Sequence, residues 1–155
     1  MDYITYLRSM VGKNKVLMPV CGALIFDDQK RILLQHRADT HSWGIPGGFM
    51  ELDENVEETA RRETYEETGI ELGKLDFYGI YSGKDFHKTF PNGDQAALVQ
   101  ILFTCRDFKG KANSIDEETL DARFFPLDQL PAPMLEKHQR FINDYIEYPS
   151  GPVIG

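Results

Sequence analysis

Between Glu57 and Gly69 the chain reads Glu-Glu-Thr-Ala-Arg-Arg-Glu-Thr-Tyr-Glu-Glu-Thr-Gly, a charged helix whose second half works against its own stability. The first half is ordinary. Glu57–Arg61 and Glu58–Arg62 are i,i+4 pairs with the acid on the N-terminal side, each worth roughly a few tenths of a kcal/mol. In the second half, at about 100° per residue, Glu66 lies about 60° to one side of Glu63 and Glu67 about 40° to the other. Three carboxylates therefore share one face. Glu63 and Glu67 repel as an i,i+4 pair, and both sit toward the helix C-terminus, where the macrodipole disfavours anions. A helix tuned only to be solvated would carry Lys or Arg here. Hard oxygen donors gathered on a rigid element are what Mg²⁺ or Mn²⁺ binds.

Upstream, Trp43-Gly44-Ile45-Pro46-Gly47-Gly48 ends a strand-like segment in a turn whose missing side chains let backbone approach a ligand or metal closely. A glycine pair alone is ordinarily just a turn; its fixed distance from the acidic helix gives it meaning. Periodicity places the other elements. A short helix opens the chain on Ile4, Leu7 and Val11, with Tyr3 and Met10 flanking them. Strands are predicted over 16–26 and 31–36, joined as a hairpin by Asp27-Asp28-Gln29-Lys30. The charged helix runs over 55–68 and is closed by Gly69. Further strands are predicted over 76–81, 96–105 and 120–125, then a helix over 134–148 with Leu135, Phe141, Ile142 and Tyr145 on its apolar stripe. Strands and helices interleave but a hairpin is present, so the expected class is α/β: a mixed sheet with helices on both faces. The 155 residues are expected to form one domain, with 1–15 as an N-terminal helical extension.

The net charge of −8 argues against a broad nucleic-acid surface. It also means that a site for anionic phosphates must obtain positive charge from somewhere, and bound divalent cations supply it. No apolar run approaches the roughly 18–20 residues that span a bilayer, and residues 1–15 lack an apolar signal-peptide core. Cys21 and Cys105 lie in strand-like apolar runs without metal-ligand spacing and read as buried thiols rather than a disulfide. A cytoplasmic location follows as an expectation.

The residues Gly48, Glu54, Arg62, Glu63, Thr64, Glu66, Glu67, Gly69 and Ile70 together resemble the Nudix box, Gly-x5-Glu-x7-Arg-Glu-U-x-Glu-Glu-x-Gly-U, where U is apolar. Seven fixed positions match, a coincidence of about one in 10⁸ per starting position. Trp43 and Pro46-Gly47-Gly48 before the box, and the stretch from Phe124 to Pro131 after it, extend the resemblance over 16–131. The one departure is Thr64, where an apolar residue is the pattern. The resemblance implies a Nudix-type α/β/α sandwich around a mixed β-sheet, with the box as strand, loop and helix. It also implies hydrolysis of a phosphoanhydride in a nucleoside-diphosphate-linked or nucleoside triphosphate substrate with Mg²⁺ or Mn²⁺. By position, Glu63 and Glu67 would be the principal metal ligands with the Gly47 carbonyl. Glu66 would bind a further metal or activate water, and Arg62 would pair with Glu54 and orient the glutamates.

A general base often comes from outside the box, and the candidates are Asp116, Glu117, Glu118 and Asp121, with Glu118 favoured for its place just before a strand. Family markers for ADP-ribose, NADH and coenzyme A substrates are absent; the ADP-ribose proline would fall near Asp85 and Phe86. The segment 82–95 carries Phe86 and Phe90, which could stack a base, and Lys84 and Lys88, which could meet a phosphate; it could equally be a mobile surface loop or one contacting a second subunit. His87 gains no role, and Arg31 and Arg37 read as solvated. Two other readings stay open: a nucleotide-sensing domain without turnover, and an isopentenyl-diphosphate-type isomerase, which needs a reactive cysteine in the pocket. The apolar stripe of residues 1–11 suggests a homodimer interface.

Overall fold

The computed structural model describes residues 2–155. In chain order the elements are α1 (Tyr3–Val11), β1 (Val16–Ile25), β2 (Ile32–Arg37), β3 (Trp43–Gly44), β4 (Gly47–Phe49), α2 (Val56–Thr68), β5 (Glu71–Leu72), β6 (Asp76–Tyr81), a 3-10 turn (Lys84–Phe86), β7 (His87–Thr89), β8 (Gln95–Cys105), β9 (Phe108–Lys109), β10 (Thr119–Phe125), α3 (Glu136–Glu147) and β11 (Val153–Ile154). The main sheet runs β11-β6-β8-β1-β4, with β7 folded back on the start of β8. It is mixed: β8 is parallel to β1 and antiparallel to β6. A second sheet has the order β10-β2-β3, and β5 pairs with β9.

The two-residue alternation of a strand builds the layers. On β1, Leu24 enters a core with Phe141, Ile142 and Tyr145 of α3, and Phe26 just beyond the strand joins it. Cys21, Ala23 and Ile25 point the other way, into a core that contains Ala60 of α2. β2 divides likewise, Ile32 and Leu34 on the α3 side and Leu33 on the α2 side. The chain is thus the expected α/β/α arrangement of a mixed sheet between helices. The three α3 side chains contribute about 1.5–3 kcal/mol each through burial.

The expected hairpin between the first two long strands is not formed. β1 has β8 on one edge and β4 on the other, so β2 meets it only at the bridge Phe26↔Ile32 and pairs instead with β10 and β3. The segment 82–95 has structure of its own: a 3-10 turn over Lys84–Phe86, and β7 paired with the start of β8. α1 also has a place on its own chain. The Tyr3 N–H donates to Glu51 at 2.8 Å, and Arg8 donates to the carbonyl of Gln95 at 2.7 Å. Its Tyr6 and Met10 remain exposed. Cys21 and Cys105 are buried and unbridged. Among the described residues no helix is long and apolar enough to cross a membrane.

Candidate active site

The N-terminus of α2 fixes the phase of the acidic face. The Asn55 side chain accepts from the Glu58 N–H at 2.9 Å while Glu58 accepts from the Asn55 N–H at 3.1 Å, a capping box worth about 1 kcal/mol. Gly69 closes the helix at φ 77°, a left-handed cap that favours glycine. Glu58 is thereby engaged, and the expected Glu58–Arg62 pair does not form. Arg62 turns instead to Glu54, donating through Nε at 2.7 Å and Nη2 at 3.0 Å. Its Nη1 reaches Glu63 at 2.9 Å and Glu66 at 3.3 Å, and Nη2 also caps the Phe49 carbonyl at 2.9 Å. The Arg62 hydrogen bonds hold the Glu54 carboxyl at about 2. Arg62 therefore joins the helix to the end of β4 and meets three of the four box glutamates, all but Glu67.

Glu67 is the group that most needs explaining: a carboxyl only 4% exposed. Its Oε1 accepts from the Gly47 N–H at 2.9 Å and its Oε2 from the Gln35 amide at 3.2 Å. These bonds do not offset burial, which together with the nearby Glu63 pushes its pKa up to about 8. Burial also raises Glu63, against the opposing charge of Arg62. The glycines are required by contact. A methyl on Gly48 would lie 2.4 Å from the Glu63 carboxyl carbon, and one on Gly47 would lie 2.7 Å from the Cys21 carbonyl oxygen. Thr64, the residue that departs from the box pattern, is fully buried and its hydroxyl has no partner among the described residues, a cost of roughly 1–3 kcal/mol that an apolar residue would avoid.

Gly47, Gly48, Arg62, Glu63, Glu66 and Glu67 line one cleft of about 1090 Å³. Of the candidate bases, Glu117 and Glu118 line it, and the charge of Glu118 is felt at Glu63. Asp116 is committed to the loop, accepting from the N–H groups of Glu118 and Thr119, and Asp121 pairs with Arg123. Phe90 lines the cleft with its ring 5.9 Å from Phe49 and Lys88 over its face at 4.7 Å. Phe86 also lines the cleft, but at 2% exposed its ring packs on Tyr81 and Phe141 and offers little surface for a base. Arg31 is a half-exposed partner of Asp27, whereas Arg37 is more covered. It lines the cleft and, although burial works against its charge, a two-point pair with Asp39 keeps it cationic. Phe49, Lys88 and His138 complete the cleft; sequence reasoning passed over Phe49 and His138, which carry no local signal.

The donor set fits a hard divalent cation. Two carboxylates from successive turns of α2 face a glycine segment whose lack of side chains opens the space between them. Mg²⁺ keeps several of its waters and needs only one or two carboxylates. Among the described residues no three acidic, histidine or cysteine side chains form a finished cage; Glu63 and Glu66 are turned to Arg62.

The NUDIX domain model matches residues 16–145. An ADP-ribose pyrophosphatase of Methanocaldococcus jannaschii is 32% identical over 130 residues, which cover 83% of this chain and 72% of that protein. Among solved structures, a MutT Nudix hydrolase from Burkholderia pseudomallei superposes with a TM-score of 0.69 at 28% identity, covering 84% of this chain and 97% of that one. The Nudix domain of Shewanella oneidensis NrtR, solved with ADP ribose, has the same fold, with a TM-score of 0.71 at 23% identity over 97% of this chain and 100% of that one. With the box, the sandwich and the family match in agreement, the chain belongs to the Nudix family and is a hydrolase of phosphorus-containing anhydrides, in a family that acts on nucleoside diphosphate derivatives.

Proposed function

We propose that this chain is a Mg²⁺- or Mn²⁺-dependent pyrophosphohydrolase that cleaves a phosphoanhydride in a nucleoside-diphosphate-linked or nucleoside triphosphate substrate. The observation that carries this reading is the Glu63 and Glu67 carboxyl pair set against Gly47-Gly48, with Glu67 only 4% exposed; burial and the neighbouring Glu63 push Glu67 well above the usual carboxylate range. A buried acid pair of this kind is stabilised by a cation. Glu63 and Glu67 would hold the metal with the Gly47 carbonyl, and Glu66 would serve a further ion or the water. Bound there, a divalent cation supplies charge neutralisation at the phosphate oxygens and a more acidic water. Arg62 orients Glu63 and Glu66 through the contacts already described, and Glu54 keeps Arg62 in place. Glu118, at the cleft rim, is the proposed base: it takes the proton of the attacking water as the new P–O bond forms and the bridging P–O bond breaks. Phe49 and Phe90 offer ring faces for a base.

The isomerase alternative loses support from the cysteines. Burial pushes Cys21 up to about 12, and Cys105 is raised as well, so neither is a reactive thiolate. The test is a panel of nucleoside triphosphates and nucleoside-diphosphate sugars, ADP-ribose among them, with Mg²⁺ or Mn²⁺, reading released phosphate, pyrophosphate and nucleoside monophosphate. Cation-dependent turnover of at least one member is expected. Silence of the whole panel with both ions would favour a sensing domain.

The homodimer also stands as a proposal. Met1 lies outside the described residues, but Tyr6 and Met10 are one helical turn apart on the exposed side of α1, and Leu17 at the start of β1 is 76% exposed. Tyr6→Glu with Met10→Glu should shift the protein to monomer in sedimentation velocity while leaving Arg8 and its tether intact; a wild type that sediments as monomer at micromolar concentration would end the idea.

A further inference from the structure

His138 of α3 lines the cleft, and none of the chemistry above uses it. Its Nδ1 accepts from the Ile45 N–H at 2.9 Å. The Nδ1–Cε1 edge lies so close to Gly44 that a methyl there would fall 2.5 Å from Nδ1. Gly44 is in turn fixed through β3: the Trp43 N–H donates to the Pro133 carbonyl and the Leu135 N–H donates to the Trp43 carbonyl, each at 2.8 Å. The ring is therefore clamped on one edge between β3 and the start of α3. Burial, then the charges of Arg37 and Lys88, lower its pKa to about 3 and keep it neutral. A neutral imidazole that accepts at Nδ1 carries its proton on Nε2. No second hydrogen bond of the ring is found among the described residues, and neither nitrogen is sealed from solvent without a partner. The tautomer is thus set by Ile45, and a donor is left for whatever enters the cleft.

The surroundings of that donor indicate its partner. Arg37 from the end of β2 and Lys88 from β7 both act on His138 through their charge. Arg37 also acts on Glu67 through its charge, and both line the same cleft. Asp39 engages Nε and Nη2 of Arg37, leaving Nη1. In a chain of net charge −8, one cleft brings together Lys88, Arg37 with its Asp39 partner, and an uncharged N–H donor, groups that complement phosphoryl oxygen.

We infer that His138, Arg37 and Lys88 form the subsite for the second phosphate of a diphosphate substrate, with the His138 Nε2–H donating to a phosphoryl oxygen. The inference rests on the phosphoanhydride reading above and assigns the phosphate that adjoins the one held at the carboxylates. The probe is α,β-methylene-ADP, a diphosphate that cannot be hydrolysed at its bridge, titrated by calorimetry with Mg²⁺ present and with adenosine as the phosphate-free control. His138→Asn keeps an acceptor for the Ile45 N–H and loses the far donor; it should weaken the analogue about tenfold and leave adenosine unchanged. His138→Gln, whose amide reaches farther, should recover part of that loss. Lys88→Met, at a half-buried side chain on β7, should weaken the analogue and gives a second arm if the His138 variants melt early. A long-range ¹H–¹⁵N spectrum of the wild type should show the Nε2-protonated tautomer, with that signal shifting as the analogue is added.

Unchanged affinity in His138→Asn with wild-type melting, the opposite tautomer, or no binding of the analogue by wild type would each overturn the subsite. Hydrolysis of the substrate panel alongside such a result would leave the pyrophosphohydrolase reading standing. Tight, His138-dependent analogue binding without any panel turnover would do the reverse.

Discussion

Glu67→Gln is expected to cut turnover by about a hundredfold or more while leaving the fold intact. The loss follows from removing one of two carboxylate charges proposed to hold the cation. Retention of the fold follows from the hydrogen bonds. A glutamine Oε1 still accepts from Gly47, and its new Nε2–H₂ needs an acceptor where Gln35 now donates. Gln35 can supply one. Its own Oε1 has no partner among the described residues, so a flip of its amide presents that oxygen to residue 67 and lets Thr119 reverse its role from acceptor to donor. Without cation, Glu67 is already protonated below about pH 8, so the variant should melt close to wild type there and above it at more alkaline pH, where ionised Glu67 would repel Glu63. Full turnover at saturating Mg²⁺ would refute the metal assignment.

The second large effect is a coupling between pH and divalent cation in thermal stability. Glu67 has a folded pKa of about 8 against an ordinary 4.5, so the folded chain holds a proton that the unfolded chain releases. That stabilisation is complete below about pH 4.5 and is lost as pH rises through about 8, with a slope of at most about 1.4 kcal/mol per pH unit for one proton. Glu63, also raised, adds in the same direction. Glu54 is depressed to about 2; its contribution is present above about 4.5 and disappears only as pH falls through about 2, outside this window. Without divalent cations the melting temperature should therefore fall between pH 5 and 8. Saturating Mg²⁺ or Mn²⁺ should restore it, most strongly at the alkaline end, because the cation binds the deprotonated carboxylates of the folded state alone. Calorimetric scans across that range, with chelator and with Mg²⁺, measure both. A Glu63→Gln/Glu67→Gln double variant that kept the full Mg²⁺ increment would place the ion elsewhere.

The acidic half of the site was readable because it is local. Glu63, Glu66 and Glu67 lie within two turns of one helix, and their spacing alone puts them on one face. Gly47 and Gly48 gained meaning from their distance to it. The layering was readable too, because strand alternation and the α3 stripe are local periodicities. The rest of the cleft is assembled by tertiary structure. Arg37, Lys88 and His138 come from β2, β7 and α3, and nothing near Arg37 in the sequence distinguishes it from Arg31, which is half-exposed. The burial of Phe86 was hidden for the same reason: an aromatic among Lys, Asp and His looks like a surface residue until a 3-10 turn folds it onto Phe141 at the cleft. The β1–β2 hairpin failed because turn residues between two apolar runs specify a reversal, while the choice of neighbour is made by β8, far along the chain.

That choice of neighbour sets the order of events during synthesis. The β1–β8 register pairs Val16 with Ala96 and Ile25 with Cys105, so the centre of the main sheet waits for most of the chain. Parallel pairing across so long a separation closes slowly, because the entropy of the loop must be lost before the contacts reward it. α2 has its capping box and glycine stop early, but at 13 residues and with a self-repelling face it is marginal alone, and that face has no glycine segment to meet until β1 is held. A nascent chain therefore displays the repelling glutamates before it has anywhere to put them, and the strand β1, apolar on both faces, stays uncovered for that same interval. Expression at lower temperature, or with chaperones that shield apolar strands, should raise soluble yield more for this topology than for a helical protein of equal length.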